Sequence, residues 1–297
     1  MGCGQSAFGY LFLPDEGRFF LRCKKAYSPQ MIRVGTSGFL FPDWKGIVYP
    51  PDVKGEDALT YYEQILGFDC VELNFTFYSV PSPRSFGAML SRTSDDFVFT
   101  VKLHRGLTHE RTVGPLQPKL DRFKYSLSLF DGTGRLAALL AQMPPDFFFS
   151  QKSLDYLELL KDKLSPFPLV VEFRNPSWAQ ERSFEFLRDK GIGYCIVDEP
   201  SLPRLFPYIP KVVSNLGYLR LHGRSSHWYD GEKARYNYSY SDSELAVFVS
   251  DIGGLEEKAE KFFVFFNNCT NGQAAGDALR FKRLLGQAAG KLPDRLF

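Results

Sequence analysis

Histidine is scarce in this chain, with four in 297 residues. They stand at His104, His109, His222 and His227, and no two of them fall at HxxH or HExxH spacing, the arrangement a helix-borne zinc site needs. The five cysteines, Cys3, Cys23, Cys70, Cys195 and Cys269, include no CxxC pair. That spacing excludes a zinc knuckle and a thioredoxin-type redox motif. No GxGxxG follows the first strand-like run, which argues against an open sheet that binds a dinucleotide. No apolar stretch reaches the length of a membrane span, so no membrane partner is expected. A net charge of +2 is too small to imply nucleic acid from composition alone. Cys70, Cys195 and Cys269 lie in or beside apolar runs and read as reduced, buried thiols, which makes the expected location cytoplasmic.

What the chain does have is core material. Hydrophobic residues make up 44% and phenylalanine alone contributes 29 residues. Eight short apolar runs read as strands: 32–37, 70–75, 97–103, 136–143, 169–174, 193–198, 217–223 and 262–268. Amphipathic runs at 57–67, 82–92, 153–164, 180–191 and 274–287 read as helices between them. Strand and helix patterns in alternation imply βαβ units and a parallel sheet. Eight such units in a chain of this length point to the α/β class and a TIM-type (β/α)8 barrel in a single domain. The Pro-rich segment 199–216 is expected to replace a regular helix. The barrel spans 31–290, preceded by an N-terminal extension at 1–30 and followed by a tail at 291–297. The opening MGCGQS fits an N-myristoylation pattern through Gly2 and Ser6, and Met31, directly before the first strand, offers a second start.

In such a barrel the chemistry sits where the strands end. Here nearly every strand ends in a polar group: Ser37; Glu72, Asn74 and Thr76; Lys102; Gln142; Glu172 and Arg174; Asp198; Arg220 and His222; Asn267 and Asn268. Alternation places Glu72, Asn74 and Thr76 on one side of their strand, Glu172 and Arg174 on one side of theirs, and Arg220 and His222 likewise. Those sides face the lumen, and buried charges must be paired or ligated. One outcome is a structural ion-pair network in which Lys102, Arg174 and Arg220 neutralise Glu72 and Glu172. The other is a functional pocket. Lys102, Arg105, Arg174, Arg220 and Arg224 would ring its mouth and suit an anion such as phosphate. Aromatic groups among them, including Tyr78 and Trp178, offer stacking faces. A divalent metal from Glu172, Asp198 and His222 fits this basic rim less well, and no metal ligand is assigned.

Seven stretches carry a family resemblance: VGTSGFLFPDWKGIVYP (34–50), VELNFTFYSVPSP (71–83), FVFTVKLHRGLTH (97–109), LLAQMPPDF (139–147), VVEFRNPSW (170–178), YLRLHGR (218–224) and VFFNNCTNGQAAGDA (264–278). In order and spacing they resemble the YecE-like family, domain of unknown function 72, along residues 32–288. The resemblance implies a β/α barrel related in shape to the xylose isomerase-like and endonuclease IV-like barrels, and it supplies no reaction. The His-rich multi-zinc site of the endonuclease-like barrels is missing from this sequence. Family members often end in a Gln-led, Leu-Phe-terminated peptide like the bacterial sliding-clamp motif. Here KLPDRLF keeps Leu296 and Phe297 but not the glutamine, which leaves clamp binding a secondary expectation.

The expected function is therefore an anion-binding pocket at the strand C-termini, with a hydrolase of phosphodiester or sugar phosphate type as the corresponding enzyme. Glu72, Glu172, His222 and His109 are the candidate acid–base groups. Asn74, Tyr78, Lys102, Arg174, Trp178, Asp198, Arg220 and Asn268 are the candidate ligand contacts. The alternatives are a non-catalytic nucleic-acid binding protein and a barrel that binds a neutral metabolite.

Overall fold

The structure is a computed structural model that describes residues 32–255 and 258–293. Eight parallel strands run through it: β1 (Ile32–Thr36), β2 (Cys70–Leu73), β3 (Val98–Lys102), β4 (Leu136–Gln142), β5 (Leu169–Glu172), β6 (Gly193–Asp198), β7 (Leu216–Leu221) and β8 (Lys261–Phe266). Their hydrogen-bonded order is β1-β8-β7-β6-β5-β4-β3-β2. The seam between β1 and β2 carries a bridge from Ser37 to Glu72, and the Gly38 N–H donates to the Glu72 carbonyl at 2.7 Å. The sheet is thus a nearly closed barrel. Gly35 lets the seam form: a Cβ there would lie 2.2 Å from the Cys70 carbonyl oxygen.

The helices are α1 (Ala58–Gln64), α2 (Pro83–Leu90), α3 (Leu116–Ser126), α4 (Gln151–Leu164), α5 (Glu181–Asp189), the short α6 (Glu232–Arg235), α7 (Asp242–Leu255) and α8 (Gln273–Leu284). No helix separates β6 from β7, as the Pro-rich segment 199–216 led one to expect. Helices α3, α6 and α7 have no counterpart among the helical runs singled out in the sequence. In α3, Pro118 falls in the first turn, where a missing N–H breaks no helical bond.

Several strands stop one or two residues before the polar groups assigned to them. After β2 the chain curls into a 3-10 turn at Phe75–Phe77, and after β5 into another at Pro176–Trp178. The Thr76 hydroxyl donates to the carbonyls of Leu73 and Lys102 at 3.0 and 2.6 Å, which ties β2 to β3. The alternation expected to carry Asn74 and Thr76 into the lumen therefore ends at Leu73. The apolar residues of the strands and the inner faces of the helices form one continuous core. Among the described residues no helix is long and apolar enough to cross a membrane. The extension at 1–30, with Gly2, Ser6, Cys3 and Cys23, lies outside the described residues, as do Leu296 and Phe297.

Candidate functional site

Three non-adjacent strands send charges into the barrel, and those charges meet. From β7, Arg220 is almost completely buried. Its Nη2 lies 2.7 Å from Glu72 Oε1 on β2, and its Nη1 lies 2.5 Å from Glu172 Oε2 on β5. Arg174 follows β5 and pairs with Glu172 at 2.5 Å and with Glu199 at 2.6 Å. The Tyr218 hydroxyl, on the same side of β7 as Arg220, donates to Glu72 Oε2 at 2.6 Å and sits 3.0 Å from the Thr100 hydroxyl. The result is a chain of alternating charges, Glu72–Arg220–Glu172–Arg174–Glu199. Burial alone would raise the Glu172 carboxyl, but Arg174 and Arg220 outweigh it and hold it well below the usual range. Glu172 is thus a fixed anion, not an acid poised near neutrality. Glu172, assigned from the sequence as an acid–base group, is here a member of the ion-pair network. Glu72 and Arg220 likewise serve the ion-pair network that was the alternative reading.

His222 is fully buried beside this chain, with Nε2 3.0 Å from Arg174 Nη2 and Nδ1 2.9 Å from the Asn267 amide. Burial, with the charge of Arg174 behind it, pushes its pKa down to about 3. His109 is pushed down to about 4 by burial and then by Lys102. Its ring packs edge-on against Phe77 and its Nδ1 meets the Thr108 hydroxyl at 2.9 Å. Both rings are neutral near pH 7.

Above the charged chain opens a well of about 240 Å³. Lys102, Asn74 and Tyr78 line it, as assigned from the sequence, and so do Ser37, Gln142 and Asn267 from the strand ends. Phe41, Tyr236 and Cys269 add apolar walls, and Glu232 adds a carboxylate to the lining. The Lys102 ammonium lies 4.5 Å from the centre of the Phe77 ring, and among the described residues no carboxylate pairs with it. Burial first, then the adjacent Arg220, lower its pKa to about 7, with Glu172 and Glu72 pulling the other way. Phe41, Asn74 and Tyr78 also line an apolar groove of about 480 Å³, together with Gly38, Phe39, Leu40, Leu73, Phe75 and Met89.

Arg174, held by Glu172 and Glu199, is not part of the well's lining, and three further assigned contacts lie elsewhere. Trp178 is fully buried, stacked on Phe173 and Phe147, and donates its indole N–H to the Phe147 carbonyl at 2.7 Å. It is core, not a ligand face. Asp198 receives Arg224 at 2.7 Å and the Tyr240 hydroxyl at 2.6 Å. Asn268 turns away to the Tyr238 carbonyl and Asp277, while its neighbour Asn267 faces the well. The expected ring of positive charge is also largely neutralised, since Arg105 pairs with Glu110 and Arg224 with Asp198 and Glu244. Among the described residues no group of three His, Cys, Asp or Glu side chains gathers to hold a metal. Reasoning from sequence missed Phe77, Tyr218, Glu199, Tyr236 and Cys269. Tyr218 alone carried a readable signal, two residues before Arg220 on the same strand.

The family model for "Protein of unknown function DUF72" matches residues 33–296. The chain belongs to the DUF72 family. It is 30% identical over 286 residues to the UPF0759 protein YunF of Bacillus subtilis, covering 90% of this chain and 99% of that one. A DUF72 family protein from Thermotoga maritima is 45% identical, with a TM-score of 0.80 over 86% of this chain and all of that one. A DUF72 family protein from Enterococcus faecalis, at 24% identity, superposes with a TM-score of 0.78 over 90% of this chain and all of its own. A xylose isomerase-like TIM barrel protein from Mycobacterium smegmatis, solved with magnesium, has the same fold at 13% identity and a TM-score of 0.50 over 87% of this chain and 98% of that one. The expected family and barrel are both found. The family is one of uncharacterised function.

Proposed function

We propose that this DUF72 barrel binds a small polyhydroxylated metabolite of the sugar or sugar phosphate class in the well at its C-terminal mouth. The observation that carries this reading is Lys102, a cation that faces the well without a carboxylate partner among the described residues. Around it, Asn74, Gln142, Asn267, Ser37 and Tyr78 offer both donors and acceptors, which is what sugar hydroxyls require. Phe41 and Tyr236 offer flat faces to the carbon skeleton. A well of about 240 Å³ is smaller than the pockets that hold drug-sized ligands and suits a single small sugar.

Two other readings have less behind them. A hydrolase built on a carboxylate pair needs one carboxyl free to carry a proton, and Glu72 and Glu172 both serve Arg220. A nucleic-acid surface needs a stripe of free cations, and Arg105, Arg174, Arg220 and Arg224 each hold a carboxylate. A thermal-shift panel of sugars, sugar phosphates and short oligonucleotides tests the reading. At least one sugar phosphate should raise the melting temperature of the wild type and leave that of Lys102→Met unchanged. A response to oligonucleotides alone, falling steeply with salt, would overturn it.

A further inference from the structure

We propose that Lys102 acts as an amine nucleophile, forming a Schiff base with the aldehyde or ketone carbon of an open-chain sugar held in the well. The inference rests on the small-molecule reading above and names the reactive part of the ligand. Lys102 ends β3 at the floor of the mouth, and its Nζ faces the ring of Phe77. Three features are those of an amine kept reactive. Among the described residues no carboxylate pairs with it directly, it is partly desolvated, and Arg220 lines the same well. Lysines become nucleophilic when they are desolvated or set beside another cation. Burial and Arg220 together bring Lys102 to about 7, so ammonium and free amine coexist at neutral pH. The ammonium attracts an anionic ligand, and the amine reacts with its carbonyl.

The step balances without a further reactant. The nitrogen lone pair attacks the carbonyl carbon, and the C=O electron pair moves to oxygen. The carbinolamine then expels that oxygen as water, which takes with it the two protons of the neutral amine. A protonated C=N bond needs one proton more, from solvent. Asn74 and Gln142 line the well and can hold the neighbouring hydroxyls. Arg220 cannot replace Lys102, because a guanidinium stays protonated and this one is bound to two carboxylates.

Borohydride trapping tests this on the full-length protein. Dihydroxyacetone and ribose 5-phosphate are each incubated with the native chain, reduced, and mapped by peptide mass spectrometry. The expected result is a reduced adduct on Lys102 in large excess over every other lysine. Labelling at that peptide should be lost in Lys102→Met and fall to the level of surface lysines in unfolded protein. Labelling spread over surface lysines without preference overturns the proposal. The melting temperature is read with the same two compounds, without reductant. Stabilisation without labelling of Lys102 removes the Schiff base and leaves the binding site. Absence of both removes the two together.

Discussion

At the scale of single residues, the charges in this barrel divide by whether they have partners. Arg220 lies between two buried carboxylates, and its removal strands both. Breaking a buried pair in this way typically costs about 3–5 kcal/mol. Arg220→Ala should therefore lose stability of that order in urea denaturation, and a loss below about 1 kcal/mol would show that Glu72 and Glu172 are relieved some other way. The inward sides of β2, β5 and β7 were legible as sequence, because alternation along VEL, VVE and YLRL fixes them. What the charges do was not legible, since pairing across the lumen depends on which strands face one another. The exchange of Asn268 for Asn267 has the same origin. Two adjacent amides leave β8 on opposite sides, and the one-residue difference that sends one to Asp277 and the other to the well is set by where the strand ends.

At the scale of elements, the strands were readable to within a residue or two, and the turns that follow them were not. Phe75–Phe77 and Pro176–Trp178 are short, locally closed turns whose aromatic residues look alike in sequence. One places Phe77 beside Lys102 and the other buries Trp178 in the core. The β1–β2 seam depends on backbone proximity at Gly35, which no periodicity announces. Gly35→Ala should open the seam and lower the melting temperature sharply, because the new Cβ meets a carbonyl at 2.2 Å. Gly254→Ala, in α7 with no atom within 4 Å of the added carbon, should instead raise stability by about 0.4–1 kcal/mol. If calorimetric melting finds both changes alike, the seam has another closure.

At the scale of the whole molecule, the barrel places Lys102 in a well where its proton is costly, and this has a pH signature. An unfolded lysine keeps its proton to about pH 10.4, whereas folded Lys102 releases it near 7. Between those values the unfolded state binds more protons, so this group makes stability rise as pH rises through the window. Lys102→Met should be more stable than the wild type at pH 7, and the advantage should shrink toward about pH 10. Denaturant melts of the two proteins at pH 7 and pH 9.5 check it. An advantage that does not change with pH would mean that Lys102 keeps an ordinary pKa.

The most direct measurement of the small-molecule site is a calorimetric titration of ribose 5-phosphate into the wild type and Lys102→Met at pH 7. A site at the mouth predicts saturable one-to-one binding to the wild type and none to the folded variant. Equal binding to both, or binding to neither by this sugar phosphate and the others of the panel, would contradict it.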